Sequence, residues 1–376
     1  SQTDIHVDHA SVFKNDSDGD LHGVLKANGD KYELKWGKDA DSVCQVQVPG
    51  GSKESFSTID DALTYIKNNA SSFSSTKTAT IEMLVEEYAI TTTVNFTEID
   101  GLEVGLTTAA DLAQPTRIIR EVTTNYEPTI NINGVANASP TTAFTFGNVI
   151  LDGNYDKGNE GIMIQSFDLY GYKCTVNIGT TGANPVGPKI TNCRAAWWFV
   201  GSETDNTKSV LNFNSGEIVD NDYLQCVYVW HATFNMKGGK ICGNTGITNP
   251  VLLDDCIGNI SGGEISNNNL SENSQKFELT THSAVCSVNS TINLSGNPVI
   301  KDNYYYENEC DDPELSNLQC NSRKLFLLET GLTTGANIGI TPDKETDTFF
   351  AQTNILQPSQ AGLECFHNDT NRNFPA

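Results

Sequence analysis

Between residues 171 and 303 the chain falls into rows in which apolar and polar positions alternate, a glycine-rich turn follows, and an isoleucine leads to an asparagine. Four rows superimpose: Ser209 to Asn221 (SVLNFNSGEIVDN), Ala232 to Asn244 (ATFNMKGGKICGN), Cys256 to Asn268 (CIGNISGGEISNN) and Ser290 to Asn303 (STINLSGNPVIKDN). A looser row, Cys174 to Asn192, precedes them. Period two places Ala232, Phe234 and Met236 on one side and Thr233 and Asn235 on the other, which predicts strands.

The row isoleucines Ile218, Ile241, Ile265 and Ile300 are 23, 24 and 35 residues apart, one solenoid coil each with a loop inserted near residues 270 to 283. The fold expected is therefore all-β, a right-handed parallel β-helix. Cys174, Ser209, Ala232, Cys256 and Ser290 form an inward column of small side chains, as a tight bend requires. Asn221, Asn244, Asn268 and Asn303 are expected to stack as a side-chain ladder at a corner.

Upstream, Ser57 to Asn69 reads as an amphipathic helix. Ser57 and Asp60 form its expected capping box, and Ile59, Ala62, Leu63 and Ile66 share one face. A solenoid end exposes apolar residues and strand edges, so this helix is expected to cap the first coil. Less regular strand-like runs follow near residues 81–85, 102–106, 117–120, 129–132 and 144–151. The expected organisation is an irregular or β segment at 1–50, the cap at 51–75, the β-helix at 76–342 and a C-terminal segment at 343–376 that packs on the solenoid.

From Phe56 onward the chain resembles the adhesin-like, pectin-lyase-type β-helix proteins displayed on the surfaces of gut Firmicutes and methanogens. The likeness lies in the FSTIDDALTYI helix, VILDGN at Val149 to Asn154, the SGGEISNN and KGGKICGN turns, and INLSGNPVIKDN followed by GLTTGANIGIT. It implies the fold and a surface location more than an activity.

Charge narrows the partners. With 47 acidic and 23 basic residues, a formal charge of −24, the chain repels nucleic acid and anionic surfaces, polyuronates included. No apolar run reaches the length that spans a bilayer, so no membrane insertion is expected. The chain begins at Ser1 without a signal-like segment, as a mature or trimmed chain does. Ten cysteines without zinc-ligand spacing suggest disulfides outside the cytosol, with buried thiols as the alternative. An extracellular protein, secreted or cell-surface attached, is expected.

Catalytic motifs are sparse. Asp254, Asp255 and Cys256 spell the DDC of polygalacturonase-type hydrolases without the companion NTDG and GHG segments, and they fall at a turn. His6, Asp8 and His9 lie outside the coils. Asp16, Asp18 and Asp20 hint at calcium but miss the EF-hand register. No cofactor is expected.

Aromatics offer the better lead. Alternation turns Tyr228 and Trp230 outward beneath Leu252 and Asp254 of the next coil, with one of Trp197 and Trp198 extending the strip. A second cluster is the insertion Tyr304 to Cys320, where Tyr304, Tyr305 and Tyr306 precede Glu307, Glu309, Asp311 and Asp312, with Cys310 and Cys320 placed for a disulfide. The function expected is a non-catalytic extracellular binding module for adhesion or scaffolding, taking a protein or glycan partner. A carbohydrate-active enzyme and a structural stalk are the alternatives.

Overall fold

The computed structural model describes residues 22–28, 31–37, 42–124, 127–136, 138–158, 161–167, 172–201, 209–222, 224–271, 282–306, 313–320, 325–341 and 365–369. The chain is a right-handed parallel β-helix with three strands per coil. A representative coil runs Thr233–Met236, Lys240–Cys242 and Val251–Asp254. Each strand pairs in parallel with its counterpart in the next coil, at Ile257–Ile260, Glu264–Ser266 and Val285–Val288. The strands stack into three sheets, called 1, 2 and 3 in that order. Sheet 1 has 11 strands, and sheets 2 and 3 meet where Leu318 pairs with Ile340, giving 18 strands together.

Alternation in the sequence becomes alternation in burial. Phe234 and Met236 are fully buried whereas Thr233 and Asn235 are half-buried on the outside. One continuous core runs through the coils, and inside it Phe96, Phe144, Phe146 and Trp197 stack successively with ring centroids 5.2, 4.9 and 5.4 Å apart. Such pairs add roughly 1 kcal/mol each beyond the area they bury.

Corners are made by left-handed residues. His231, Asp255 and Asn289 have φ of 51°, 50° and 49° immediately before Ala232, Cys256 and Ser290. The chain turns inward sharply there, so the column admits only small side chains, all of them at most 2% exposed. Asn192, Asp220, Gly243, Asn267 and Asp302 repeat the device before Cys193 and the ladder asparagines. Asn, Asp and Gly tolerate this conformation best, which accounts for the recurrent DN, GN and NN pairs.

The ladder forms as expected. Asn221, Asn244 and Asn268 each donate from Nδ2 to Oδ1 of the next, Asn268 to Asn303, at 2.7–2.9 Å. It also extends beyond the rows, from Asn303 to Asn317 and from Asn317 to the Asp369 carboxylate, each at 2.8 Å.

The cap, helix α1 at Ile59–Asn68, buries Ile59, Ala62, Leu63 and Ile66 against the first coil. Its capping pair lies one residue later than expected: Thr58 Oγ1 accepts from Asp61 N at 3.0 Å and donates to the Asp61 carboxylate at 2.7 Å. Thr58 has the extended backbone that an N-cap needs, and Ser57 stays outside. Strand Cys44–Gln47 adds antiparallel to Thr78–Met83, and Lys53–Phe56 pairs antiparallel on its far side as the outermost strand of sheet 1. His22–Asn28 and Lys31–Gly37 form an antiparallel hairpin within the expected N-terminal segment, and Phe366–Asn368 pairs in parallel with Asn337–Ile340.

Among the described residues no disulfide forms. Burial pushes the Cys44 and Cys256 thiols up to about 12, so they remain protonated and act as small apolar fillers. Among the described residues no helix is long and apolar enough to cross a membrane, and no group of three or more His, Cys, Asp or Glu side chains is placed to hold a metal ion.

Candidate functional site

The outer face of sheet 3 carries the expected aromatic strip in altered form. Parallel register sets Trp198 beside Tyr228 and Tyr228 beside Leu252, and in the adjoining column Val200 beside Trp230 and Trp230 beside Asp254. Trp198 is the outward member of its pair. Trp197 is fully buried, edge-on to Phe146 in the interior stack, and is removed from the site. Leu252 is removed too: it points outward but is only 2% exposed. The reasons differ: Trp197 takes the inward place of its pair, in register with Val227, while Leu252 keeps the outward face and is covered there, which alternation does not report.

What remains is a compact patch. Trp198 packs on Ile162, Ala195 and Leu224 and meets Tyr228 edge-on at 6.0 Å. Trp230 lies 4.5 Å from the ring of His231, which occupies the left-handed corner between sheets 3 and 1. Asp254 stands beside Trp230, half-buried, and its carboxylate accepts no hydrogen bond from the described residues. Burial raises its pKa and the neighbouring Asp255 raises it further, while His231 opposes both. Burial likewise raises the Tyr228 phenol, with Asp254 adding to the effect. The chemistry on offer is three partly accessible aromatic rings, Trp198, Tyr228 and Trp230, beside a half-buried carboxylate.

The tyrosine cluster is a small sheet rather than a bare loop. Tyr304–Tyr306 pairs in parallel with Asn269–Ser271 and antiparallel with Glu314–Leu315. Tyr305 is only 8% exposed, joins the core and stacks on His282 at 4.6 Å, so it is not a surface binder. Tyr304 and Tyr306 flank it half-buried on the other side. Glu307, Glu309, Cys310, Asp311, Asp312 and the Cys320 side chain lie outside the described residues, as do His6, Asp8, His9, Asp16, Asp18 and Asp20.

No family model, curated protein or solved structure matches the chain. The reading of the site therefore rests on its own geometry.

Two features of that geometry were not anticipated. The first is a second asparagine ladder, on the outside of sheet 1, where Asn293, Asn259, Asn235 and Asn212 each donate to the asparagine of the preceding coil at 2.7–2.9 Å. Asn177 then donates to Thr145 Oγ1, which donates to the Glu103 carboxylate. Its signal was present in the rows as an asparagine two positions after each outward Thr, Val or Ile.

The second is Glu98, only 3% exposed at a turn leading from sheet 3 to sheet 1. Its Oε1 accepts from Thr175 N at 3.0 Å, and its Oε2 is buried without a partner. Burial lifts its pKa to about 8, against the smaller opposing effects of the Thr175 N–H, Lys173 and Cys174. Nothing in the local sequence marks it, because its partners are about 76 residues away.

Proposed function

We propose that the protein is a non-catalytic extracellular binding module, secreted or attached to a cell surface, that holds a glycan at the patch formed by Trp198, Tyr228, Trp230 and Asp254. The observation that carries this reading is the half-buried Asp254 carboxylate, which accepts no hydrogen bond from the described residues and is set beside Trp230. A sugar supplies what both lack: hydroxyl donors for the carboxylate and C–H faces for the indole. A large protein partner is less well supported, since Tyr172 and Val186 alone among the described large apolar residues are well exposed. The surface location draws on the resemblance to adhesin-like β-helix proteins and no longer on disulfides.

The test is a glycan-array screen of the wild type with Trp230→Ala, Tyr228→Ala and Asp254→Asn. Trp230→Ala and Asp254→Asn should each weaken binding roughly tenfold or more. Because burial raises the Asp254 pKa, wild-type affinity should fade on acidification at a higher pH than an ordinary aspartate would give, and Asp254→Asn should remove that dependence. Undiminished binding by all three variants would refute the patch. A hydrolase is the second reading, favoured by the raised pKa of Asp254 next to Asp255. Release of reducing ends from the bound glycan would establish it, and none is expected.

A further inference from the structure

The patch at Trp230 and His231 ends where sheet 1 begins, and the outer surface of that sheet is unusually uniform. Over five consecutive coils its two outward columns read Thr175, Val210, Thr233, Ile257, Thr291 and Asn177, Asn212, Asn235, Asn259, Asn293, in register. All ten are half-buried, and none is ionisable in a chain of net charge −24. On sheet 2 the corresponding register alternates Lys189, Glu217, Lys240 and Glu264. The neutrality sets these coils of sheet 1 apart from sheet 2.

The first column alternates hydroxyl and aliphatic side chains coil by coil, so like groups recur every second coil, about 10 Å along the axis. The second column offers amides at every coil. At Asn212, Asn235 and Asn259 each Nδ2 and each Oδ1 uses one hydrogen-bonding site on a neighbouring asparagine and keeps another. A flat glycan chain in which successive sugars are turned over has the matching periodicity: two sugars span close to the same distance, and polar edges alternate with apolar ring faces.

We infer that sheet 1 is a track for a neutral, extended β-1,4-linked polysaccharide lying parallel to the solenoid axis, continuous at its edge with the Trp230–Asp254 patch. This rests on the glycan-binding reading and adds the ligand class and its direction. Charge selects against polyuronates, because the track has no cation to pair with a carboxylate and the chain as a whole repels one. Flatness selects against α-linked glucans, which coil away from a straight row of contacts.

Affinity electrophoresis and pull-down of the full chain on cellulose, with cellohexaose as soluble competitor and amylose and polygalacturonate as comparators, test this. The wild type should be retained on cellulose, displaced by cellohexaose and held much less by the other two. The double variant Thr233→Glu, Thr291→Glu puts charge on the track without entering the core and should weaken retention about tenfold. Ile257→Thr, which breaks the alternation and keeps β-branching, should weaken it about threefold. Thermal unfolding followed by circular dichroism checks that the variants are folded.

Equal retention on amylose, or an undiminished double variant, overturns the track. If the double variant binds as wild type and Trp230→Ala does not, the ligand stays on the patch and the binding reading survives alone. If no glycan holds the wild type, both readings fall.

Discussion

The two asparagine ladders use the same residue, the same coil spacing and the same Nδ2-to-Oδ1 bond, yet they occupy opposite sides of the wall. At the corner after sheet 2, the side chains of Asn221, Asn244, Asn268 and Asn303 are sealed from solvent and bind backbone as well as one another. Asn268, for example, donates to Ile241 O and Asn303 Oδ1 and accepts from both N and Nδ2 of Asn244. On sheet 1, Asn235 has only its two side-chain neighbours and a half-exposed position. Their dipoles also run in opposite directions, one ladder ending on Asp369 and the other on Glu103, and in each the aligned N–H groups point toward the carboxylate. The lesson is that repetition creates the ladder while burial assigns its work: one holds the coils together, the other is left with hydrogen-bonding capacity facing outward.

Breaking each ladder should separate them sharply. Asn268→Ala removes the buried bond to Ile241 O, takes from the Asn244 backbone N–H its side-chain acceptor, and leaves Asn244 Nδ2 with Ile218 O and Cys242 O alone. It should cost about 3–5 kcal/mol in denaturant unfolding, with the ligand-binding face intact. A smaller loss would mean that the corner tolerates water.

Glu98 sharpens the comparison as a buried polar group that belongs to neither ladder. Its pKa is raised from 4.5 unfolded to about 8 folded, so between those values the folded chain holds a proton that the unfolded chain has released. Stability should therefore fall by a few kcal/mol as pH rises from about 4.5 to about 8 and level off above. Glu98→Gln, neutral throughout, should flatten that slope and be the more stable protein at pH 9. Unfolding curves that show the same pH slope in both proteins would assign the dependence elsewhere.

The smallest effect belongs to the outer ladder. Asn235→Ala should cost about 1 kcal/mol or less, because water replaces the lost bonds. A loss equal to that of Asn268→Ala would make the outer ladder structural and weaken the case for a track.

Much of this was legible in the rows themselves. The period-two pattern, the repeated Gly turns and the 23- and 24-residue spacing specify stacked coils, because a coil buries its apolar face only against another coil. The small-residue column and the inner ladder were readable for the same reason, each recurring at a set place in the row. Most of the αL residues before them follow from chemistry, since Asn, Asp and Gly accept that conformation best, and His231 is the exception.

Other outcomes required the third dimension. Trp197 and Trp198 are identical letters side by side, and the register with Val227 and Tyr228 of the next coil, with Phe146 inside, sets which one enters the core. Leu252 and Tyr305 sit in stretches that read as surface, yet tertiary packing covers both, and periodicity carries no information about covering. Asn317 and Asp369 join the ladder from outside the repeated rows, and Glu98 meets Thr175 across 77 residues, so the row pattern points to none of them. Sequence by itself determined the coil, its corners and its inward face, because those depend on local conformation and on repetition. Which side chains remain accessible, which carboxyl is buried and where the ladders end were decided by the tertiary structure, because each depends on groups that only folding brings together.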